Sequence, residues 1–80
     1  MASSARNKFY INREENEGWR INTFSENDVY VYSCSYMNEE EDSLSRFIYE
    51  LSTGLLEEVD EKEYKKFLLE KYAEALENLV

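Results

Sequence analysis

Residues 29–36 read VYVYSCSY, and this stretch decides the fold. Its valines and tyrosines alternate with a period of two and are enriched in strands, so the segment predicts a β-strand. Two earlier segments also alternate, KFYINR at 8–13 and WRINTF at 19–24. Short polar turns separate the three segments, and such turns join antiparallel neighbours. The sequence therefore predicts a three-stranded antiparallel sheet.

The period changes after this sheet. Residues 37–41 are predicted to be a polar linker, and Asp42 or Ser43 is predicted to cap a helix. Four apolar residues then follow at i, i+3, i+4 and i+7, which predicts a helix at about 43–53 with Gly54 past its end. Residues 55–59 fit either a loop or a short fourth strand. A second helix is predicted at 61–79, where a broad apolar stripe begins after the capping residue Asp60.

These elements predict one α+β domain at 8–80, preceded by a disordered lead-in at 1–7. A sheet of three, possibly four, antiparallel strands is packed by two C-terminal helices in two layers, with one sheet face open. One face holds the valines of the third strand and is matched with Phe9, Ile11, Trp19 and Ile21. The tyrosine face is either an exposed interface or the core itself. The predicted helical core residues are Phe47, Ile48, Leu51, Phe67 and Leu68.

Composition excludes several kinds of site. The chain has no histidine and one cysteine, so it has no histidine-based catalysis, no internal disulfide and no cysteine-based zinc site. Two glycines and no proline leave no phosphate-binding loop. We therefore expect no catalytic, cofactor or metal site, and we expect a binding protein rather than an enzyme.

The acidic charge is concentrated in the middle of the chain. The net charge is −9, and residues 23–61 alone carry eleven acidic residues and one basic residue, net −10. A field of this sign repels nucleic acid and anionic lipid and attracts basic surfaces. The expected partner is therefore a basic protein surface, with no direct nucleic-acid or membrane binding. The absence of a long apolar run or signal peptide predicts a cytoplasmic protein.

The candidate partner-binding residues are acids of this middle segment together with two tyrosines that share a predicted strand face. Carboxylates spread over one side can imitate a phosphate backbone, although acidic connections also serve solubility alone. Tyrosines are favoured in protein interfaces. The set comprises Glu26, Asp28, Tyr32, Tyr36, Glu39, Glu40, Glu41, Asp42, Glu57, Glu58 and Glu61.

In size, charge and fold class the chain resembles small acidic inhibitor proteins of bacteriophages and mobile elements, of the anti-CRISPR or DNA-mimic type. The resemblance rests on the acidic segment 23–61 and on no residue-by-residue motif. It implies a protein that blocks a nucleic-acid-binding protein by occupying its basic surface. Two alternatives stay open: an immunity protein or antitoxin that neutralises a cationic toxin, and a homo-oligomeric structural or regulatory subunit that pairs through its sheet face.

Overall fold

The computed structural model describes residues 6–25, 27–35 and 38–78 of the chain. It confirms the α+β class, with one antiparallel sheet and two helices. The sheet is larger than predicted, because it has five strands. In chain order the elements are β1 Arg6–Asn12, β2 Glu17–Ser25, β3 Asp28–Ser35, β4 Asn38–Asp42, α1 Leu44–Ser52, β5 Glu57–Val59 and α2 Glu61–Asn78.

The two additional strands form the edges of the sheet, whose order is β4-β3-β2-β1-β5. The predicted linker at 37–41 is wrong, because Asn38–Asp42 pairs with β3. Acidic residues are poor strand formers, but at an edge their side chains reach solvent while the backbone still pairs. At 55–59 the strand alternative is correct for Glu57–Val59, which pairs with β1.

The register of the first hairpin places the apolar residues of β1 and β2 on opposite sides of the sheet. Tyr10 lies opposite Trp19, and Phe9 lies opposite Arg20. Directly opposed residues share a face, and neighbours along a strand do not. The prediction that Phe9, Ile11, Trp19 and Ile21 share one face was therefore wrong, because alternation within each strand does not fix the register between strands.

Each helix covers one of these two faces. Phe47 of α1 packs in a cluster with Trp19, Ile21 and Val31. On the other side, three residues of α2 pack with Phe9, Ile11 and Cys34; they are Tyr64, Phe67 and Leu68. The helices and the sheet thus form three layers, and the predicted two-layer arrangement with both helices on one face is corrected. We call the two sides of the sheet the α1 face and the α2 face.

Local signals for the ends of the helices are confirmed. The Ser43 side chain accepts a hydrogen bond from the Arg46 backbone N–H at 3.1 Å, and Asp60 accepts one from the Glu63 N–H at 2.8 Å. Gly54 has φ +78°, the left-handed conformation expected past a helix end. Gly18 serves packing instead, since a Cβ there would lie 2.7 Å from the Tyr64 ring.

The predicted core is confirmed in part. Phe47, Phe67 and Leu68 are buried, but Ile48 and Leu51 are exposed. Their helical spacing identified the stripe correctly, yet only one position of the α1 stripe reaches the sheet. The predicted lead-in is also too long, because Arg6 and Asn7 belong to β1. Residues 1–5 lie outside the described part of the chain.

Candidate functional site

A row of side chains crosses all five strands on the α1 face and ends in a glutamate at each edge. Its members, from β4 to β5, are Glu40, Ser33, Trp19, Tyr10 and Glu58. Four interstrand spacings separate the two glutamates, about 19 Å. Within the described chain, neither carboxylate has an ion-pair partner. The α1 face therefore has an aromatic centre and two acidic ends.

Helix α1 lies over the centre of this row. The Phe47 ring packs against Tyr10 and Trp19, with ring centroids 5.1 and 5.8 Å apart. The Arg46 guanidinium lies over the Trp19 ring at 5.4 Å, and it also pairs with Asp42 at 2.6 Å and with Glu17 at 3.7 Å. These contacts fix one side of α1 against the sheet.

The carboxyl groups around Arg46 have pKa values shifted in opposite directions. Burial acts to raise the pKa of Asp42, but hydrogen bonds from the Ser43 N–H and the Ser33 hydroxyl, together with Arg46, outweigh it and lower the pKa. Burial raises the pKa of Glu17, and this effect exceeds the opposing influence of Arg46 and the Trp19 indole. Asp42 is thus held as an anion where β4 meets α1.

The side of α1 that faces away from Arg46 is apolar and exposed. At 100° per residue, Leu44, Ile48 and Leu51 lie within a narrow arc across the helix from Arg46. These three side chains and Leu55 are between 40% and 55% exposed. We call these four residues the apolar α1 surface. Together they expose an area on the order of a few hundred Å², a size at which apolar patches on monomeric proteins are often functional.

The tyrosine candidate that the structure describes, Tyr32, lies on the α2 face and is held by a contact within the chain. Arg20 donates two hydrogen bonds to the Glu39 carboxylate, at 2.8 and 3.0 Å. The Arg20 guanidinium also lies 4.2 Å from the centre of the Tyr32 ring. The Glu39 hydrogen bond is the main reason that the pKa of Arg20 is raised. Glu39 and Tyr32 therefore already have partners within the chain.

The structure separates most of the acidic candidates predicted from the sequence. Asp28 accepts a hydrogen bond from Ser25 at the β2–β3 turn, Glu57 pairs with Arg13, and Glu61 pairs with Lys65. Glu41 is exposed on the α2 face, opposite Tyr32. Glu26 and Tyr36 lie outside the described residues. Of the eleven candidates, the structure brings Glu40, Asp42 and Glu58 to the α1 face.

Sequence reasoning missed the apolar α1 surface, because two of its residues, Ile48 and Leu51, were assigned to the core. The signal that was present is the helical spacing of Leu44, Ile48 and Leu51, continued by Leu55. The missing information was how deep a nine-residue helix sits on the sheet. A helix whose contact is one phenylalanine flanked by Arg46 leaves its leucines at the surface.

No protein-family model, curated protein or solved structure matches this chain. Among the described residues, no cluster of three or more acids and cysteines could hold a metal ion. None of the helices described is both long enough and apolar enough to cross a membrane.

On the α2 face, burial raises the pKa of Tyr64, which lies beside the buried Cys34 thiol.

Proposed function

We propose that this protein binds and inhibits a nucleic-acid-binding protein by occupying its basic surface. The apolar α1 surface forms the centre of the contact, and Glu40 and Glu58 form its acidic rim. The observation that carries the proposal is that four large aliphatic side chains of one short segment are uncovered between two acidic edge strands. The proposed setting is the cytoplasm of a cell invaded by a phage or mobile element.

The arrangement supports a protein partner because it has the layout of a protein interface. Such interfaces combine an apolar centre, from which water is excluded, with a polar rim. Leu44, Ile48 and Leu51 supply the centre on a helix that Arg46 and Phe47 hold against the sheet before any partner binds. A surface that is already folded loses less conformational entropy on binding than a segment that must fold on its partner, so more of the contact energy is available for affinity.

The charge supports a basic partner. At net −9 the chain is attracted to the positive grooves that bind nucleic acid, and the attraction weakens as salt screens it. Both sheet edges contribute glutamates, which also prevent strand-to-strand aggregation. In the proposed role, contacts of the apolar α1 surface supply the affinity for the partner. The edge glutamates attract the basic partner and orient it.

The first experiment identifies the target by its dependence on charge. Proteins from the source cell that bind a DNA column are passed over immobilised wild-type protein and over Glu40→Lys/Glu58→Lys. The control is Glu14→Lys/Glu15→Lys, which makes the same change in net charge at the β1–β2 turn. We call Glu40→Lys/Glu58→Lys the edge variant. We expect one protein to bind to the immobilised wild type and to the immobilised control but not to the edge variant.

The binding constant of the retained protein is then measured between about 50 and 200 mM salt. The edge variant should bind several-fold more weakly at low salt and show a smaller salt dependence, because charges at the rim of an interface act mainly through long-range attraction and the reversal turns that attraction into repulsion. Equal losses in the edge and control variants would reduce the effect to net charge and contradict the proposed surface.

A further inference from the structure

Helix α2 has a second uncovered apolar stripe in its C-terminal half. The buried side chains described for α2 lie within residues 64–68. Beyond them, Leu69, Tyr72 and Leu76 are between 42% and 56% exposed. Their spacing of three and four residues is the spacing of a helix-pairing seam, in which apolar positions return to one line along the helix. This half of α2 therefore presents a surface suited to another helix.

The stripe lies away from the contacts that dock α2 on the sheet. Glu63 faces Arg13 of the first hairpin at 3.9 Å, and Lys71 lies over the Phe67 ring at 5.6 Å. At 100° per residue, Leu69 and Leu76 lie on the opposite side of the helix from the buried Phe67. A second helix can therefore approach the stripe without displacing the docked side.

The charges of α2 are arranged so that two copies attract each other when they run in opposite directions. Residues 61–68 carry three lysines and two glutamates, whereas residues 69–78 carry one lysine and three glutamates. Antiparallel pairing places the lysine-rich half of each helix beside the glutamate-rich half of the other. Parallel pairing would place like charges together.

The rest of the surface disfavours self-association elsewhere. Residues 23–61 carry net −10, so two copies that meet through the sheet edges or the apolar α1 surface repel each other. Helix α2 carries four lysines and five glutamates and is nearly neutral. Helix α2 thus combines an exposed apolar stripe with a net charge low enough for two copies to approach each other.

We propose that the protein forms a homodimer through antiparallel pairing of α2, with Leu69, Tyr72 and Leu76 at the contact. The exposed stripe is smaller than the roughly 800 Å² per partner of a stable interface. The dimer is therefore reversible and forms at micromolar or higher concentration. The proposal does not depend on the function of the apolar α1 surface, which stays free in the dimer and is presented twice.

The test is sedimentation velocity of the full chain from about 5 to 500 µM. The wild type should shift from the mass of one chain to twice that mass as concentration rises. Leu69→Glu/Leu76→Glu should stay monomeric throughout. Leu44→Glu/Ile48→Glu is the matched control, with the same chemistry at similarly exposed positions of α1, and it should dimerise like the wild type.

Helix direction is tested with a charge reversal and its compensation. Lys66 and Glu77 lie on the same side of the stripe, so antiparallel pairing brings Lys66 of one chain toward Glu77 of the other. Lys66→Glu should weaken dimerisation several-fold at low salt, and Lys66→Glu/Glu77→Lys should restore it. A wild type that stays monomeric up to about 500 µM would overturn the proposal. So would dimerisation that survives Leu69→Glu/Leu76→Glu.

Discussion

Helix α1 buries one large apolar side chain, Phe47, whereas the described side chains of α2 include three that are buried within five residues: Tyr64, Phe67 and Leu68. Both helices carry apolar stripes at helical spacing, and each leaves part of its stripe in solvent. The difference is in how they are held. Helix α2 is anchored by a cluster with Phe9 and Ile11, while α1 is anchored by a single ring and by Arg46. A stripe in the sequence thus indicates which side of a helix is apolar but not what covers it.

The largest expected effects come from removing the buried ring that anchors each helix. Phe67→Ala and Phe47→Ala should each lower the free energy of unfolding by on the order of 3–5 kcal/mol, because each substitution leaves a cavity in a packed cluster. Phe67→Ala should lower the stability of the whole fold. Phe47→Ala should instead release α1 first, because it removes the one buried contact of that helix.

Hydrogen exchange distinguishes these outcomes. In Phe47→Ala, amide protection should fall in residues 44–52 more than in β1 and β2. Equal loss of protection across the sheet and both helices would show that α1 is as firmly integrated as α2, which would break the comparison.

Two adjacent leucines give the sharpest stability test. Leu68 is 5% exposed and Leu69 is 56% exposed, so the same substitution samples both sides of α2. Leu68→Ala should lower the free energy of unfolding by about 2–5 kcal/mol. The free energy of unfolding of Leu69→Ala should stay within about 0.5 kcal/mol of the wild-type value. Urea unfolding of dilute, monomeric protein measures both values. Similar costs at the two positions would mean that the uncovered stripe of α2 is packed in solution.

The smallest effect concerns the junction of β4 and α1. Because the folded state lowers the pKa of Asp42, its carboxylate stabilises the fold above about pH 4, and this contribution is lost as the pH falls through the native pKa. Asp42→Asn should therefore cost about 1 kcal/mol at pH 7, and the difference from the wild type should shrink at acidic pH.

Urea unfolding at several pH values measures this dependence. Glu40→Gln is the control, because it removes one carboxylate from the same strand at an exposed position. A difference between Asp42→Asn and the wild type that stays constant down to about pH 2 would mean that the Asp42 charge does not hold α1 in place.

Local features of the fold were predictable from the sequence. Alternation identified β1, β2 and β3. The caps at Asp60 and Gly54 were recognised, and the cap of α1 was narrowed to Asp42 or Ser43, because each cap depends on a few neighbouring residues. The edge strands were harder to recognise, because β4 is acidic and β5 is short and both exist through pairing with distant strands. The hairpin register that places Tyr10 beside Trp19 sends the helices to opposite faces, and no local pattern encodes it.

The candidate site was predicted only in its charge. The acids of segment 23–61 were recognised, and the structure places two of them, Glu40 and Glu58, on the α1 face at opposite edges of the sheet. Ile48 and Leu51 were assigned to the core, because spacing alone does not tell a covered stripe from an uncovered one. That distinction depends on how the short helix α1 crosses the sheet, which is a property of the tertiary structure.

The central claim is that the apolar α1 surface binds a protein that also binds nucleic acid. Its most direct test is displacement of fluorescent duplex DNA from the captured target protein by increasing amounts of this protein. Leu44→Glu/Ile48→Glu removes the apolar contact and makes the acidic field stronger, so a loss of binding cannot come from a weaker attraction to the basic partner. Leu69→Glu/Leu76→Glu is the matched control on α2. The account predicts that the wild type and the α2 variant displace DNA, whereas the α1 variant requires at least a ten-fold higher concentration. Equal displacement by the α1 and α2 variants would contradict it.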